Sequence, residues 1–311
     1  MSINKMKAIV CEGYGGVEVL SITTLDKAIP KADELLIRIC ATTVNSGDVA
    51  VRALKGSFLQ KNIMKLILGW KKPRNPILGT NYAGVVEQVG RKVSKFKVSD
   101  EVFGLRGFKF GTHAEFVLVK ENSIISHKPS NASFEEAAAI LFGGQTAHYF
   151  FNKSKVSSFP GLSVLIYGAT GSVGTAAVQI AKHYKAKITA VCSDYNADFV
   201  LKLGADKTIH YNRIDFAKTV DKYDIIFDAV GKTSKKQCSH ILREGGEFFS
   251  VAGINYARES MVQIIFLKEL FEKGTYDACI DTVYLFHEII EAHLHVETCK
   301  KRGNVVLNIS S

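Results

Sequence analysis

The 311-residue sequence predicts an α/β fold that combines a doubly wound parallel sheet with a second, β-rich part. Between Ser163 and Val251, strand-like apolar segments alternate with helical segments, which is typical of a parallel sheet covered by helices on both faces. Residues 1–120 instead contain short strand-like segments bounded by Gly, Asn and Asp. The chain length indicates about two domains of ordinary size.

The β-rich part is predicted from three segments in particular, which are Leu35–Cys40, Val85–Gln88 and Ala114–Val119. A helix is predicted after them, because Ser133 followed by Glu136 has the spacing of a capping box in front of an apolar run.

The alternating part is predicted to contain five strands and four helices. The predicted strands are 163–167, 187–192, 207–211, 224–229 and 246–251, and the predicted helices are 172–185, 196–203, one after Asp215, and 233–242. Gly204 is well placed to end the second helix in a left-handed conformation.

The composition is that of a globular protein, with 47% hydrophobic and 23% charged residues. The net charge is +10, but the densest basic runs, at 71–74 and 300–302, are short. We interpret the basic residues as solvated surface with some local help for an anionic cofactor, so nucleic acid is not an expected partner. The longest apolar run, Ile63–Trp70, is interrupted by Lys65 and is much shorter than the roughly 18 residues of a membrane span, so no membrane partner is expected.

The six cysteines include no CxxC pair, and none lies near a histidine at zinc spacing. We interpret them as buried free thiols in a reducing compartment. The N-terminal segment lacks the zones of a secretory signal, so a cytoplasmic location is expected.

The strongest local signal is a glycine-rich loop between the predicted strand 163–167 and the helix that follows it. Gly168 would permit a tight turn, Gly171 would let the backbone approach a pyrophosphate, and Gly174 would let the helix pack on its strand. The helix N-terminus would present N–H groups and a partial positive charge to the phosphates. The pattern therefore predicts a dinucleotide site, although the first spacing differs from Gly-x-Gly-x-x-Gly.

The end of the second strand bears on the choice between NAD and NADP. An acidic residue there would bind the ribose 2′-hydroxyl of NAD, but the strand ends in Cys192 and Ser193. Asp194 would either hold a ribose or cap the helix that begins near Asn196, and we favour capping or a plain loop role.

Several motifs in order resemble the medium-chain dehydrogenase/reductases, in their zinc-independent quinone oxidoreductase (zeta-crystallin-like) branch. They are Ala41–Asp48, Leu78–Gly90, Phe96–Gly104, Gly111–Val119, the glycine loop, Leu203–Tyr211, Asp228–Gly231 and Lys301–Val306. The resemblance implies a Rossmann cofactor domain over 125–256. It also implies a GroES-like catalytic domain over 1–124 to which 257–311 return, with the cofactor in the cleft between the two domains.

The resemblance also bears on zinc. Zinc-dependent relatives carry Cys where Asn45 stands and His where Thr80 stands, and they carry a four-cysteine lobe that is missing between Gly104 and Gly111. Without a thiolate and an imidazole at these positions no zinc site is expected. Reduction of an activated acceptor is therefore favoured over oxidation of a simple alcohol.

The resemblance assigns Ser193 and Tyr211 to the 2′-phosphate of NADPH. The basic residue of NADPH-using relatives is missing at Tyr195 and Asn196, so Arg302 is expected to supply the charge, and NADPH is favoured over NADH. The expected cofactor-binding residues are Gly168, Ala169, Thr170, Gly171, Ser172, Val173, Gly174, Ser193, Tyr211, Val230, Gly231, Ala252 and Arg302.

Three residues are candidates for the chemistry, which requires a positioned acceptor and donors to the oxyanion that develops on it. Asn45 would be a donor because it replaces a metal ligand, or it holds its loop. Thr146 resembles the threonine beside the nicotinamide, or it is an ordinary helix residue. Tyr82 would donate a proton, although a packed aromatic is the commoner role.

The sequence thus predicts an NADPH-dependent, zinc-independent reductase that transfers a hydride to a quinone or an α,β-unsaturated carbonyl. The alternative is a nucleotide-binding protein of the same fold with little or no catalytic activity. Compared with relatives, the segment 254–263 is shortened where a strand used in dimerisation is expected. This shortening motivates the alternative and places a homodimer in doubt.

Overall fold

The computed structural model describes residues 4–56, 58–252 and 256–310. In chain order its strands are β1 Lys5–Cys11, β2 Leu20–Asp26, β3 Glu34–Val44, β4 Asn81–Val89, β5 Glu101–Leu105, β6 Phe116–Lys120, β7 Ile125–His127, β8 Ser163–Tyr167, β9 Lys187–Cys192, β10 Lys207–His210, β11 Tyr223–Asp228, β12 Leu242–Ser250, β13 Ile280–Leu285 and β14 Asn304–Asn308. Its α-helices are α1 Ser46–Arg52, α2 Phe58–Leu68, α3 Phe134–Lys153, α4 Ser172–His183, α5 Ala197–Leu203, α6 Met261–Glu272 and α7 Ile289–Glu297.

The chain divides into two compact units. Unit 1 comprises Met1–Leu141 and Ile280–Ser311, and unit 2 comprises Phe142–Cys279. Both bounds fall later in the chain than the expected domain boundaries at residues 124 and 256, and the domain division itself stays a prediction. The first half of α3 is fastened to unit 1, because Asn81 Nδ2 donates to the Ala138 carbonyl and Asn308 Nδ2 donates to Glu135, each at 2.7 Å.

Unit 1 is built on a seven-stranded sheet with the order β13-β14-β3-β4-β5-β7, in which β6 also pairs with β3. All its pairs are antiparallel except β13 with β14, and β1 and β2 form a separate antiparallel pair. β3 is the central strand, and its Leu35, Ile37 and Ile39 belong to the main apolar core of the unit. The last strand, β14, pairs with β3, so the C-terminal part of the chain joins the sheet built by residues 34–127.

Unit 2 is built on a five-stranded parallel sheet with the order β10-β9-β8-β11-β12. The predicted α/β fold with a parallel sheet is therefore confirmed. β8 lies in the middle, and its Val164, Leu165 and Ile166 are fully buried, as expected of a parallel strand covered on both faces. Gly204 ends α5 in the left-handed conformation, with a φ of 118°.

Two of the predicted helices are wrong. After Asp215 the chain forms a single 3₁₀ turn, Phe216–Lys218, which Asp215 caps by accepting from Ala217 N. Only Phe216 of this turn is buried and Val220 beyond it is exposed, so no apolar face supports a longer helix. Over 233–242 the chain forms turns and then enters β12 at Leu242. Its two fully buried apolar side chains, Cys238 and Ile241, are too few to stabilise a packed helix face.

The start of the shortened segment 254–263 lies outside the described residues. From residue 256 to residue 260 the chain has no regular structure, and α6 follows with the capping box of Ser260 and Gln263. Within the described residues β12 is an edge strand of its sheet.

Candidate active site

The glycine loop of unit 2 leads from β8 into α4. Gly168 has a φ of +77°, and a Cβ atom on it would overlap the side chain of Val230. A Cβ atom on Gly174 would overlap the Gly168 carbonyl oxygen and would lie 2.7 Å from Ala169 Cα. These two positions therefore accept no larger residue without a shift of the backbone, as expected for a tight turn closed by a helix.

Gly171 differs from the other two glycines because open space lies in front of it. Its backbone is in the ordinary extended region, and a Cβ atom on it would have its nearest neighbour, the Gly168 carbonyl oxygen, 3.9 Å away. Gly171 is the N-cap of α4 and brings no side chain to the first turn of the helix, where Ser172 and Val173 follow. An open helix N-terminus of this kind suits a diphosphate, so the residues present fit a dinucleotide.

The backbone of the loop is held by hydrogen bonds to the neighbouring strand, and its other residues do not occupy the space in front of α4. Ala169 is fully buried, and the backbone N–H groups of Gly168 and Ala169 both donate to the Val191 carbonyl at 3.1 and 3.2 Å. Thr170, which follows, is half-buried. The loop is thus fastened to β9 and leaves the start of α4 clear.

A second loop, after β11, lies against the glycine loop. Its organiser is Asp228, a fully buried carboxylate whose Oδ1 accepts from the backbone N–H groups of Val230 and Gly231 at 3.0 and 2.8 Å. Its Oδ2 accepts from Thr233 N and from Ser250 Oγ at 2.9 and 3.1 Å. Asp228 begins one of the motifs that carry the family resemblance, but no role was predicted for it from the sequence.

This second loop brings three of the expected cofactor residues together. Val230 is the residue that a Cβ atom on Gly168 would strike, and Gly231, with a φ of +78°, lies beside Ala252. The structure thus places Gly168, Val230, Gly231 and Ala252 along neighbouring strand ends, as expected of a ligand site at the carboxyl edge of a parallel sheet.

The carboxyl ends of β9 and β10 form a polar corner. Ser193 is buried and its Oγ accepts from Asn196 Nδ2 at 2.9 Å, while the backbone N–H of Tyr211 donates to the Cys192 carbonyl at 3.1 Å. The Tyr211 side chain is exposed. Ser193 and Tyr211 are therefore adjacent, as their expected shared ligand requires.

Asp194 is engaged at this corner by residues of the loop after β10. Its carboxylate accepts from Arg213 Nε at 2.9 Å and from Asn212 Nδ2 at 3.0 Å. The hydrogen bond from Asn212 and then the one from Arg213 lower the pKa of Asp194. The plain loop role that we favoured for Asp194 agrees with these contacts.

Arg213 is the basic residue at this corner, and it was not predicted from the sequence. Its side chain is 66% exposed, so its guanidinium has donors left beyond those that bind Asp194. Arg302, which was expected to supply the charge, is exposed and belongs to unit 1. The position of Arg213, two residues after Tyr211, is the signal that would have pointed to it.

Thr146 lies in α3, one turn after a close contact with α4. A Cβ atom on Gly143 would lie 2.5 Å from the carbonyl carbon of Ser172, so the two helices touch beside the glycine loop. The Thr146 hydroxyl donates to the Phe142 carbonyl at 2.9 Å and accepts from Gln145 Nε2 at 3.0 Å. Its hydrogen bonds are thus those of an ordinary helix threonine, and its role beside the nicotinamide stays a prediction.

Asn45, in unit 1, is the N-cap of α1. Its Oδ1 accepts from the backbone N–H groups of Gly47 and Asp48 at 2.8 and 3.2 Å, and its Nδ2 donates to Thr80 Oγ1 at 3.1 Å. The loop-holding role considered for Asn45 is therefore present in the structure. Because an amide nitrogen carries two hydrogens, one donor of Asn45 is left for another acceptor.

Asp48 completes the capping box around Asn45. This fully buried carboxylate accepts from Asn45 N at 2.9 Å and from Gly79 N at 3.0 Å. Burial raises the pKa of Asp48, against opposing effects from the nearby His113 and from these two hydrogen bonds. Asp48 thus positions the loop that bears Asn45.

Tyr82 is fully buried in the core of unit 1. It pairs with Gly104 across β4 and β5, and a Cβ atom on Gly104 would lie 2.5 Å from the Tyr82 hydroxyl. Among the described residues this hydroxyl has no hydrogen-bond partner, and burial raises the pKa of Tyr82. The surroundings of the Tyr82 side chain are therefore those of an aromatic residue packed in the core.

Comparison with known proteins gives a consistent result. Residues 31–130 match the family model described as alcohol dehydrogenase GroES-like domain, and residues 172–276 match the one described as zinc-binding dehydrogenase. The 2-methylene-furan-3-one reductase of Solanum lycopersicum is 32% identical over 98% of this chain and 79% of its own length. The chloroplastic NADPH-dependent alkenal/one oxidoreductase of Arabidopsis thaliana is 30% identical over 97% of this chain and 79% of its own.

The quinone oxidoreductase of Coxiella burnetii has a solved structure that matches with a TM-score of 0.85, at 26% identity, over 98% of this chain and 99% of that one. The chain belongs to the medium-chain dehydrogenase/reductase family. The predicted resemblance is confirmed, and this medium-chain dehydrogenase/reductase is an NAD(P)H-dependent oxidoreductase.

The zinc that one of these descriptions mentions does not fit the residues of this medium-chain dehydrogenase/reductase. At the two positions where ligands would stand, the structure has an amide and a hydroxyl that are hydrogen-bonded to each other, Asn45 and Thr80. Zinc prefers thiolate, imidazole and carboxylate. In the part of the chain that the structure describes, no group of three or more His, Cys, Asp or Glu side chains could hold a metal ion.

The cysteines and the helices were compared with two expectations, that the cysteines are buried free thiols and that no segment spans a membrane. Cys11, Cys40, Cys192, Cys238 and Cys279 are buried free cysteines, whereas Cys299 is exposed. None of the described helices combines the length and the apolar character that a membrane crossing requires.

The buried hydroxyl of Tyr82 allows a test of its two roles. We expect Tyr82→Phe to raise the free energy of unfolding by about 1 kcal/mol, because it removes a buried hydroxyl without a partner, and to leave turnover unchanged. Chemical denaturation and steady-state kinetics of the purified variant measure both quantities. A fall in kcat of about a hundredfold or more would instead assign Tyr82 to proton transfer.

Proposed function

We propose that this chain is an NADPH-dependent, zinc-independent reductase that transfers a hydride to a quinone or an α,β-unsaturated carbonyl. The observation that carries the proposal is the hydrogen-bonded pair of Asn45 and Thr80, which replaces a metal-ligand set in a nicotinamide-dependent family. Relatives that carry the names of an alkenal/one reductase and a quinone oxidoreductase support the same class of acceptor.

The chemistry of the donors selects the acceptor. An unactivated alcohol or ketone needs a strong Lewis acid to stabilise its alkoxide, whereas a quinone or enone delocalises the negative charge over its own conjugated system. A weak neutral donor, such as the second hydrogen of Asn45 Nδ2, suffices for a delocalised oxyanion. The residue types present therefore favour an activated acceptor.

A bound nicotinamide dinucleotide supplies the hydride. The first turn of α4 and the open space at Gly171 hold its diphosphate, while the loop organised by Asp228 covers the neighbouring strand end. The polar corner of Ser193, Tyr211 and Arg213 receives the adenosine ribose. Thr146 lies one turn after Gly143 on α3, in the same unit as the glycine loop, and would help to position the nicotinamide.

The charge of the polar corner favours NADPH over NADH. Asp194 alone would repel a 2′-phosphate, but Arg213 neutralises it at 2.9 Å and keeps exposed donors for a phosphate. Ser193 and Tyr211, which both carry hydroxyl groups, follow the ends of the same two strands.

We expect Arg213→Ala to weaken NADPH binding by at least about tenfold and to leave NADH binding unchanged, because only NADPH carries the phosphate that Arg213 would bind. Isothermal titration with both nucleotides measures this difference. Arg243→Ala is the matched control, since Arg243 is also an exposed arginine paired with an aspartate, Asp224, at 2.6 Å. An equal loss for both nucleotides would contradict the assignment, and a selective loss in Arg302→Ala would restore the role first given to Arg302.

A panel of quinones, enones and enals tests the reaction itself. We expect NADPH oxidation that depends on the acceptor, and activity that survives dialysis against a zinc chelator. Absence of turnover with every acceptor and both nucleotides would overturn the proposal, and loss of activity on chelation that zinc restores would overturn its metal-free part.

A second candidate is a nucleotide-binding protein with little or no catalytic activity. The observation that favours it is that the candidate catalytic groups already have structural tasks: Asn45 caps a helix, Thr146 bonds within its helix and Tyr82 is packed in the core. Tight NADPH binding without turnover on the same panel would select this candidate.

Two further predictions accompany this proposal. The protein is expected in the cytoplasm, and the shortened segment 254–263 places a homodimer in doubt. Among relatives, one is named chloroplastic and another mitochondrial, so the location needs its own measurement by fractionation of the native cell. Sedimentation of the purified chain measures the oligomeric state.

A further inference from the structure

One surface of unit 1 combines exposed apolar side chains with a cluster of cations, and neither has a task in the proposed reaction. We call it the basic apolar surface. Its apolar members are Ile63, Leu66, Ile67 and Trp70, and its cationic members are Lys61, Lys65, Lys71, Lys72 and Arg74.

The apolar members are spaced as one face of a helix. Ile63, Leu66, Ile67 and Trp70 follow the spacing i, i+3, i+4 and i+7, on α2 and the turn after it. Leu66 is 71% exposed, Ile67 is 61% exposed and Trp70 is 68% exposed. A contiguous apolar face of this kind is unusual on a protein surface and marks an interaction site.

The opposite face of α2 is fastened to the protein. Leu68 is buried in the core cluster of unit 1 and Met64 packs against that cluster. The Tyr14 hydroxyl donates to the Gly69 carbonyl at 2.8 Å, and the backbone N–H of Arg74 donates to the Leu68 carbonyl at 2.6 Å. The apolar face therefore points outward because the other face is held in place.

The charged residues of this segment of the chain are all of one sign. No Asp or Glu occurs in the sequence between Asp48 and Glu87, so the cations of the segment have no acidic neighbour in the chain there. The Lys65 ammonium lies 5.7 Å from the centre of the Trp70 ring, and Arg74 Nη2 donates to the Leu66 carbonyl at 3.1 Å. Cations thus lie beside the apolar side chains rather than on a separate surface.

The combination identifies the kind of partner. Leucine, isoleucine and tryptophan side chains beside lysines are the composition of helices that lie in the interface of a bilayer, with apolar groups among the acyl chains and cations at anionic head groups. A nucleic acid would use the cations but not the apolar face. We propose that the basic apolar surface docks this protein on an anionic phospholipid bilayer without crossing it.

Docking on the surface of a bilayer differs from spanning it. The expectation of no membrane partner rested on the length that a span requires, and α2, with 11 residues, cannot cross a bilayer. Docking needs only a surface, and it does not depend on the proposed reductase activity.

The single tryptophan of the chain, Trp70, lies within the surface and serves as a reporter. The full-length protein is mixed with vesicles of phosphatidylcholine alone, or of phosphatidylcholine with phosphatidylglycerol, and sedimented. We expect binding to the anionic vesicles that weakens as salt is added, together with a blue shift of the Trp70 emission. Binding to neither vesicle would overturn the proposal, as would binding without a blue shift.

Two double variants separate the apolar part from the charge. Leu66→Gln with Ile67→Gln, and Lys71→Glu with Lys72→Glu, are each expected to reduce partitioning onto anionic vesicles by at least about tenfold. Their positions are exposed, so folding is preserved and circular dichroism checks it. The matched controls are Ile29→Gln with Val220→Gln, which are exposed apolar residues elsewhere, and Lys235→Glu with Lys236→Glu, which change the net charge equally.

The controls decide whether the surface itself is responsible. An equal loss in the Lys235 and Lys236 variant would show that net charge alone drives adsorption, and this would overturn the proposal. A concentration-dependent dimer that the Leu66 and Ile67 variant abolishes, in a protein that binds no vesicles, would assign the surface to a second copy of the chain. Binding to duplex DNA but not to vesicles would assign it to nucleic acid.

Discussion

Replacement of Gly171 by alanine is expected to weaken NADPH binding by at least about tenfold, or ~1.4 kcal/mol, while the protein stays folded. The nearest atom to the new methyl group is 3.9 Å away, and the backbone of Gly171 is one that alanine adopts freely. The methyl group would instead occupy the space through which a diphosphate approaches the first turn of α4. Nucleotide titration and thermal unfolding of the same sample measure the two effects.

Gly174→Ala is the comparison variant, which separates a loss of binding from a loss of stability. Its methyl group would overlap the Gly168 carbonyl, so the loop backbone must move, and overpacking of this kind costs about 1–3 kcal/mol of stability. We expect Gly174→Ala to lose both stability and binding, whereas Gly171→Ala loses binding alone. If Gly171→Ala binds NADPH as well as the unmodified protein does, the diphosphate lies elsewhere.

The glycine loop was predictable because its contacts are local in the chain. β8 and β9 match the predicted strands residue for residue, since a parallel strand buried on both faces is a continuous apolar run between turn residues. The three glycines of the loop lie in the turn after β8 and in the first residues of α4. Their spacing alone therefore indicates which glycine makes the turn, which one faces the diphosphate and which one packs on the strand. Local patterns of this kind need no knowledge of the rest of the fold.

The polar corner and the task of Asp228 were not predictable in the same way. Arg213 meets Asp194 because β9 and β10 pair in a particular register, which the sequence does not display. Asn45 and Thr80 are 35 residues apart, and only the resemblance to zinc-dependent relatives, not a local pattern, indicated that they would meet. The failure of the helix predicted over 233–242 has the same origin, because Asp228 holds the residues that lead into this segment as a loop, accepting from the backbone N–H groups of Val230, Gly231 and Thr233.

Asp228→Ala is therefore expected to be the most damaging single change on the second loop. It would leave three backbone N–H groups and the Ser250 hydroxyl without their acceptor, and each unsatisfied buried group costs about 1–3 kcal/mol. Since water reaches part of the loop, we expect a net loss of about 3 kcal/mol in the free energy of unfolding. NADPH binding should also weaken by at least about tenfold, because Val230 packs beside Gly168.

Two further variants show whether this effect comes from the loop or from general destabilisation. Asp228→Asn keeps the oxygen that accepts from Val230 and Gly231 but turns an amide donor toward Thr233 and Ser250, so it should fall between the alanine variant and the unmodified protein. Asp224→Ala removes an aspartate from the other end of the same strand, where it accepts from Ser163 N at 2.8 Å and from Arg243. Because that end is remote from the glycine loop along β11, its loss should lower stability and leave the dissociation constant of NADPH unchanged. If Asp224→Ala weakens NADPH binding as much as Asp228→Ala does, the second loop has no special part in holding the cofactor.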